Sequence, residues 1–424
     1  MQTLEAKRPL EAKRLKRKDA RIDGGMQEIP LRCGLWYGDE EMMFQFPGDW
    51  EIRVMGLNGT REALTDEEIR ERFEHPTGTL PLREMARGHR DAVVIVDDLS
   101  RPTPAHRLVP LILNELNEGG IADDAILIIV GLGCHFPMTR IDLMKKLGED
   151  VLRRVEIICH NIDDEMSDLG TSSFGTPIHI NRFVTASDLK IGVGGIYPHA
   201  GPGFGGGAKI VVPGVAGLET TRHNHSLESG GVGGDLRNPT RMDMEEIAEK
   251  VGLDFIANVV LNGRREIVGL FVGHPVEAHR EGVGFVREVS GLETWPEADV
   301  VVANAYPMDT AYIYVGKGAW PLWEAEVKEG AVKILVAACP EGAGIHRLYT
   351  RGRMVKKQNR KIWESKFIIY SPFDQPLEAY KVYPDAFFFH SWSALMEEVA
   401  ARVSGKEVKV AVYPCPALQV PKGG

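Results

Sequence analysis

Cysteine is scarce in this sequence of 424 residues, and its distribution follows no pattern. The five cysteines are scattered, none forms a CxxC pair, and their number is odd. This distribution argues against a disulfide-stabilised scaffold and is typical of a reduced intracellular protein. We therefore predict a cytoplasmic protein with free thiols.

Long apolar runs and an excess of positive charge are also missing. No segment approaches the roughly 20 apolar residues that span a bilayer, and no apolar stretch of a secretory signal follows the basic N-terminus. A formal net charge of −10 does not suggest a nucleic-acid surface. The sequence therefore predicts neither a membrane nor a nucleic-acid partner.

Large apolar side chains are rare in residues 1–25, which are highly charged and contain the unit LEAKR twice. Such a segment cannot bury enough apolar surface to fold. We predict a charged, disordered extension there, with binding to an anionic partner as the alternative.

Glycine, in contrast, is abundant and concentrated. Seven glycines lie within residues 194–207, followed by Lys209 and then by His223 and His225. Such a density lets the backbone approach a bound group closely. A lysine in apolar surroundings has a lowered pKa and can bond covalently to a carbonyl-type carbon. On an extended segment the two histidines would share a face and could bind nickel or zinc. A glycine-rich turn with a surface lysine is the alternative.

Two common phosphate-binding motifs do not fit this stretch. The letters GPGFGG satisfy G-x-G-x-x-G, but residues 210–213 read Ile-Val-Val-Pro, which predicts a strand where a dinucleotide-binding fold needs a helix. Lys209 is not followed by Ser or Thr, so a P-loop is excluded as well. An NAD-dependent 2-hydroxy-acid dehydrogenase therefore stays only as an alternative.

Alternating apolar runs and amphipathic segments predict an α/β fold. Residues 92–96 and 125–130 are apolar runs on either side of an amphipathic segment, which is the strand–helix–strand order of a parallel sheet. A second α/β set begins near residue 298. We predict two domains, each a mostly parallel sheet flanked by helices. Their bounds are 26–275 for the N-terminal domain, 276–405 for the C-terminal domain and 406–424 for a final strand or tail.

Polar residues follow two of these strands where each strand ends. Asp98 and Arg101 come after residues 92–96, and His135 comes after residues 125–130. The carboxyl ends of parallel strands meet at the edge of the sheet where α/β proteins bind ligands. A guanidinium can hold a carboxylate or phosphate at two points, and a histidine can act as acid or base. A structural Asp–Arg pair and a structural histidine are the alternatives.

Four motifs in the same order resemble the nickel-dependent lactate racemase family, which comprises racemases and epimerases of 2-hydroxy acids. The motifs are DDLSRP at 97–102, GCH at 133–135, GGIYPH…GGGAK…H at 194–225 and PMD…K at 307–317. The resemblance extends from about residue 29 to the C-terminus. It implies an active site in the cleft between two α/β domains and a last strand that returns to the first domain.

The resemblance also implies a cofactor, the nickel-pincer nucleotide pyridinium-3,5-bisthiocarboxylic acid mononucleotide nickel. Lys209 would tether it through a thioamide, and His225 would ligate the nickel. Asp98, Gly205 and Gly206 would also contact the cofactor. The proteins that synthesise it would be partners of this one.

The resemblance further implies the substrate-binding residues. His135 and His199 would be the two acid/base groups that racemisation from either face requires. Arg101 and Lys317 would hold the carboxylate of a small-molecule 2-hydroxy acid. Tyr314 occupies a position where lactate-active members have glutamine, so we predict a substrate other than lactate. A non-catalytic nucleotide- or metabolite-binding homologue is the alternative, although both cofactor-holding residues are present.

Overall fold

A computed structural model describes residues 25–57, 61–292, 294–350, 367–403 and 407–421. The predicted extension at 1–25 lies outside these residues except for its last position. In chain order the strands are β1 (Met26–Cys33), β2 (Glu40–Pro47), β3 (Glu51–Val54), β4 (Ala92–Asp97), β5 (Ile126–Gly131), β6 (Glu156–Cys159), β7 (Met166–Thr171), β8 (Pro177–Asn181), β9 (Leu189–Gly195), β10 (Pro198–His199), β11 (Gly203–Phe204), β12 (Phe255–Leu261), β13 (Ile267–Gly273), β14 (Gly291–Leu292), β15 (Val300–Asn304), β16 (Val332–Val336), β17 (Ile368–Tyr370), β18 (Phe387–Phe389), β19 (Lys409–Tyr413) and β20 (Val420–Pro421).

The helices connect and cover these strands. In chain order they are α1 (Asp66–Glu74), α2 (Leu82–Met85), α3 (Ala105–Glu118), α4 (Arg140–Leu147), α5 (Glu149–Arg154), α6 (Arg182–Ala186), α7 (Leu218–Asn224), α8 (Pro239–Val251), α9 (Glu277–Val289), α10 (Arg347–Thr350), α11 (Pro376–Val382) and α12 (Trp392–Arg402). Short 3-10 helices lie at Asp123–Ala125, Gly207–Ile210, Val315–Lys317, Trp320–Leu322 and Pro416–Leu418. In the described part of the chain, no helix is long and apolar enough to cross a membrane.

The first sheet has the strand order β13-β12-β9-β4-β5-β6. Its strands are parallel except β13, which forms an antiparallel hairpin with β12 at one edge. All six residues of β4 are buried, as expected for a strand covered on both faces. α3 covers one face with a continuous apolar stripe that includes Leu108, Ile112 and Leu116. The predicted α/β architecture is confirmed for this sheet.

The second sheet has the order β18-β17-β16-β15-β19-β3 and is parallel throughout. Four of its strands come from the predicted C-terminal domain, and β19 follows them. β3 comes from the N-terminal part of the chain and pairs with β19. This second mostly parallel sheet is also as predicted.

The N-terminal strands pack with the second sheet, an arrangement that the sequence did not predict. The β1–β2 hairpin places Phe44 and Phe46 against Trp392 of α12, with ring centroids 4.7 and 5.4 Å apart. At the other end of the chain, β19 belongs to the second sheet, whereas Ala417 and Leu418 join the first core. The predicted domain bounds do not include this exchange of segments, and they stay a prediction.

Candidate active site

A histidine–aspartate pair lies at the carboxyl ends of β4 and β5. Asp98 contacts Nδ1 of His135 through Oδ2, and its Oδ1 accepts a hydrogen bond of 2.5 Å from Ser100 Oγ. Burial raises the pKa of Asp98, but His135 and Arg101 more than offset this and hold it well below its usual range. Burial also lowers the pKa of His135. A neutral His135 that donates Nδ1–H to Asp98 has a free electron pair at Nε2, as a base requires.

His199 follows β9 and has a different hydrogen-bond environment. Its Nδ1 accepts a hydrogen bond of 3.1 Å from the backbone N–H of Gly201. Burial and the nearby cations Lys209 and Lys317 lower the pKa of His199 well below its ordinary value. His199 is therefore neutral, and its remaining proton is on Nε2. The two predicted acid/base histidines thus differ in the protonation of Nε2.

Three cations lie close to these histidines. Arg101 is buried and donates a hydrogen bond of 3.0 Å to Ser100 Oγ. Burial together with Arg101 lowers the pKa of Lys209 to about 7. Burial, Arg101 and Lys209 lower the pKa of Lys317 well below its usual value. Because like charges resist ionisation when they are close, this cluster favours an anionic ligand.

Lys209 lies at the end of a glycine loop whose carbonyl groups accept hydrogen bonds from side chains of α8 and α9. Arg241 of α8 has no exposed surface and donates to the carbonyl oxygens of Gly206 at 3.1 Å, Pro202 at 3.4 Å and Phe204. His279 of α9 donates from Nε2 to the carbonyl oxygen of Gly205 at 2.8 Å. The predicted cofactor contacts Gly205 and Gly206 are therefore anchored by buried side chains of two helices.

Glycine is needed in this loop for space and for backbone conformation. A Cβ on Gly205 would lie 2.9 Å from the ring of Tyr197, and one on Gly207 would lie 2.8 Å from the ring of His279. Gly206 and Gly207 have φ angles of 75° and 59°, which other residues rarely adopt.

Residues 210–213 do not form the predicted strand. They continue the 3-10 helix Gly207–Ile210 into a turn, and Val211 and Val212 are buried in the core beneath the first sheet. Their apolar character therefore reflects burial and not strand pairing. The expected absence of a dinucleotide-type helix here is nevertheless correct, since only this short 3-10 helix follows the glycines.

The shared face predicted for His223 and His225 is wrong, because residues 218–224 form the helix α7 and His225 caps it. Positions two apart on a helix point about 200° apart. His223 Nδ1 lies 2.8 Å from Thr176 Oγ1, and Asn224 donates to Asp243 at 2.8 Å. These contacts fix the helix end.

His225 itself lies near the other site histidines, since it lowers the pKa of both His199 and His346. Among the described residues, no group of three or more His, Cys, Asp or Glu side chains is arranged to hold a metal ion.

The segments after β15 and β16 approach His135 from the second sheet. The ring of Tyr314 lies 4.7 Å from that of His135, and its hydroxyl donates to the carbonyl oxygen of Ile345 at 2.8 Å. The ring of His346 lies 5.2 Å from that of His135. Sequence analysis missed His346. Its position beyond the end of β16 was a weak signal, because the contact with His135 is not local in sequence.

Lys146 is a second residue that the sequence analysis missed. It has no exposed surface, and its ammonium lies 2.6 Å from Asp97 and 3.0 Å from the carbonyl oxygen of Asp98. It also donates to the carbonyl oxygen of Arg101 at 3.1 Å. Lys146 therefore fixes the loop after β4 that carries Asp98 and Arg101. A lysine on an amphipathic helix gives no sequence signal for such a role.

Two cavities adjoin the Asp98–His135 pair. One, of about 50 Å³, lies beside Lys209 and is also lined by Arg101. The other, of about 550 Å³, is lined by Tyr314 among others. The two cavities therefore bring together six of the predicted site residues at a place that both sheets help to build: Asp98, Arg101, His135, Gly206, Lys209 and Tyr314.

Comparison with known proteins supports a single assignment. The sequence model of the lactate racemase N-terminal domain matches residues 37–231. Lactate racemase from Thermoanaerobacterium thermosaccharolyticum is 31% identical over 327 residues, which cover 74% of this chain and 76% of the relative. The chain belongs to the lactate racemase family. It is accordingly an isomerase of the racemase type.

Other members and structures agree with this assignment. Lactate racemase from Lactiplantibacillus plantarum is 35% identical over 293 residues, or 67% of this chain and 68% of that one. The structure of the lactate racemase apoprotein from T. thermosaccharolyticum matches with a TM-score of 0.76 at 26% identity, over 93% of this chain and 100% of that one. A crystal structure of a Thermotoga maritima protein shares the fold, with a TM-score of 0.62 at 18% identity, over 86% of this chain and 99% of that one.

Proposed function

We propose that this member of the lactate racemase family is a racemase or epimerase of a 2-hydroxy acid other than lactate. It would work with a nickel-pincer nucleotide tethered to Lys209. The observation that carries the proposal is the amine of Lys209, whose pKa of about 7 is set by burial and by Arg101. About half of such an amine is neutral at pH 7, so it can form a covalent bond far more readily than an ordinary lysine, which is almost fully protonated there.

The residues around Lys209 fit the proposed cofactor. Gly206 and Lys209 line the smaller cavity together with Asp98, so a group tethered to Lys209 can approach the backbone at Gly206 without meeting a side chain. His225 would be the protein's ligand to nickel. When bound, the cofactor supplies an acceptor that takes up the hydride of the substrate's α-carbon and returns it.

The protein's own residues would orient the substrate and move protons. Arg101 and Lys317 would hold the carboxylate of the 2-hydroxy acid. His135 would take the hydroxyl proton at Nε2, and Asp98 would stabilise the resulting imidazolium. His199, with its proton on Nε2, would hydrogen-bond the same oxygen from another direction.

Tyr314 supports a substrate other than lactate. Its ring covers His135, and its hydroxyl is already used by the carbonyl oxygen of Ile345. The glutamine found at this position in lactate-active members offers an amide, whereas Tyr314 offers an apolar ring face. The carboxylate-holding Lys317 is nevertheless retained.

Protein purified from its native host tests the tether. We expect the holoprotein to contain nickel and the peptide with Lys209 to carry a mass increment. Lys209→Ala should lose both while remaining folded, and Lys250→Ala, an exposed lysine of α8, should lose neither. A mass increment that persists in Lys209→Ala would contradict the tether. Normal nickel content in His225→Ala would contradict the ligand role of His225.

A further inference from the structure

The larger cavity provides space that the small substrate named in the family does not need. Its volume of about 550 Å³ is that of a typical ligand pocket. Asp98 and His135 line both this cavity and the smaller one beside Lys209, so the two meet at this pair. Under the proposed function the reacting carbon lies at His135. From His135 the side chain of a substrate can extend into the larger cavity, which borders the same pair.

Carboxylates dominate the charged lining of this cavity. Asp142, Glu341 and Glu378 line it together with Lys381. Asp142 is engaged in the N-terminal cap of its own helix α4. Glu378 binds Lys381 and accepts a hydrogen bond of 3.1 Å from a backbone N–H. Glu341 is therefore the carboxylate with the most capacity to accept a hydrogen bond from a ligand.

Glu341 is oriented by an aromatic neighbour from the N-terminal region. The hydroxyl of Tyr37 donates to Glu341 Oε1 at 2.9 Å, and the ammonium of Lys145 lies 3.7 Å above the centre of the Tyr37 ring. Glu341 is exposed on one side, and partial desolvation together with the nearby Asp98 and Asp142 raises its pKa, against the hydrogen bond from Tyr37, which lowers it. The cavity is thus unfavourable for an additional negative charge and favourable for a hydrogen-bond donor.

We propose that this cavity holds the side chain of the substrate and that Glu341, oriented by Tyr37, accepts a hydrogen bond from a hydroxyl group on it. The substrate class is then a 2-hydroxy acid whose chain of several carbons carries a hydroxyl group, and not a dicarboxylate. This inference rests on the proposed function, because the latter places the reacting carbon at His135.

A matched set of acids tests the proposal. The acids 2,6-dihydroxyhexanoate, 2-hydroxyhexanoate and 2-hydroxyadipate differ only in a terminal hydroxyl, methyl or carboxyl group. The quantities to be measured are kcat/KM for racemisation by the holoenzyme and Kd by calorimetry. The hydroxyl-terminated acid should be preferred over the dicarboxylate by about 10–100-fold in both quantities. Glu341→Gln should reduce this preference about tenfold, mainly because kcat/KM for the dicarboxylate rises and its Kd falls.

A remote charge change provides the control. Glu149→Gln neutralises an exposed carboxylate on α5 and should leave the order of the acids unchanged. Equal Kd values for the three acids, or a gap that Glu341→Gln does not alter, would overturn the pocket assignment. The predicted order of Kd values without any racemisation would support the pocket and count against the proposed function.

Discussion

The contacts of Asp98 determine the tautomer of His135 and shift its pKa. Its carboxylate fixes the proton of His135 on Nδ1 and, by its charge, raises the pKa of the imidazole against the effect of burial. An asparagine keeps the shape but can present its NH₂ to Nδ1, which moves the proton to Nε2. A base at Nε2 is then lost.

We predict that Asp98→Asn lowers kcat/KM by about 10²–10⁴-fold, the usual contribution of a positioned base. Because the mutation removes a negative charge, the pKa of His135 should fall further. The acid limb of the pH–kcat/KM profile, where His135 becomes protonated, should therefore move to lower pH. Ser100→Ala, which leaves the carboxylate in place, should cost much less. If the acid limb stays at the same pH in Asp98→Asn, then Asp98 does not control the pKa of His135.

At the residue scale, much of the candidate site could be predicted from strand ends and family motifs. The structure groups these predicted residues: Asp98, Arg101, His135, His199, Lys209, His225, Tyr314 and Lys317. Lys146 could not be predicted, because its role depends on how α4 packs against the loop after β4. His346 was missed because its neighbour His135 is about two hundred residues away in sequence.

The helix α8 supports the loop that presents Lys209. Arg241 donates to three of its carbonyl groups from a fully buried position, and its charge also lowers the pKa of Lys209. Each buried carbonyl left without a donor costs about 1–3 kcal/mol, so the support is energetically significant. The electrostatic effect can be separated from the structural one, because lysine keeps the charge of arginine without its planar fork.

We predict that Arg241→Met raises the pKa of Lys209 above its value of about 7. In Arg241→Lys the pKa should stay near that value, although both variants should melt at a lower temperature. The measurement is the pH dependence of Lys209 acylation in the apoprotein, followed by peptide mass spectrometry. Superimposable profiles for Arg241→Met and the wild type would contradict a charge effect of Arg241.

Elements were predicted well where a continuous apolar run is also a buried strand. Residues 92–96 were predicted as a strand, and β4 ends one residue later, at Asp97. Residues 210–213 were predicted wrongly because an apolar run records burial, which a turn beneath a sheet provides equally well. The helical geometry of α7 likewise separates two histidines that an extended chain would have brought together.

At the scale of the whole molecule, the N-terminal segment connects the second sheet to the active site. Asp309, which follows β15, accepts hydrogen bonds from the backbone N–H groups of Gly34 at 2.8 Å and Leu35 at 3.1 Å. The indole of Trp36 then donates to the carbonyl oxygen of Arg101 at 3.3 Å. Contacts between residues this far apart in sequence, like the pairing of β3 with β19, leave no local pattern. They could therefore not be predicted.

Asp309 makes this connection dependent on pH. It has no exposed surface, and burial raises its pKa from 3.8 to about 6 despite the two backbone hydrogen bonds. Between these values the folded protein binds a proton that the unfolded chain has released. Its contribution to stability is therefore complete below about pH 4 and is lost as the pH rises through 6. The difference between the two pKa values corresponds to about 3 kcal/mol of unfolding free energy.

We predict that Asp309→Asn removes this dependence, because the amide does not titrate. The difference in unfolding free energy, wild type minus Asp309→Asn, should fall by about 2.4 kcal/mol between pH 4 and pH 7.5. Urea unfolding at several pH values measures this difference and cancels the titration of all other groups. Asp299→Asn is the control, because Lys328 lowers the pKa of Asp299 despite its partial burial. For this variant, the difference in unfolding free energy, wild type minus variant, should rise with pH instead of falling. A difference for Asp309→Asn that is constant with pH would mean that Asp309 is ionised throughout this range. The two backbone hydrogen bonds would then outweigh its burial.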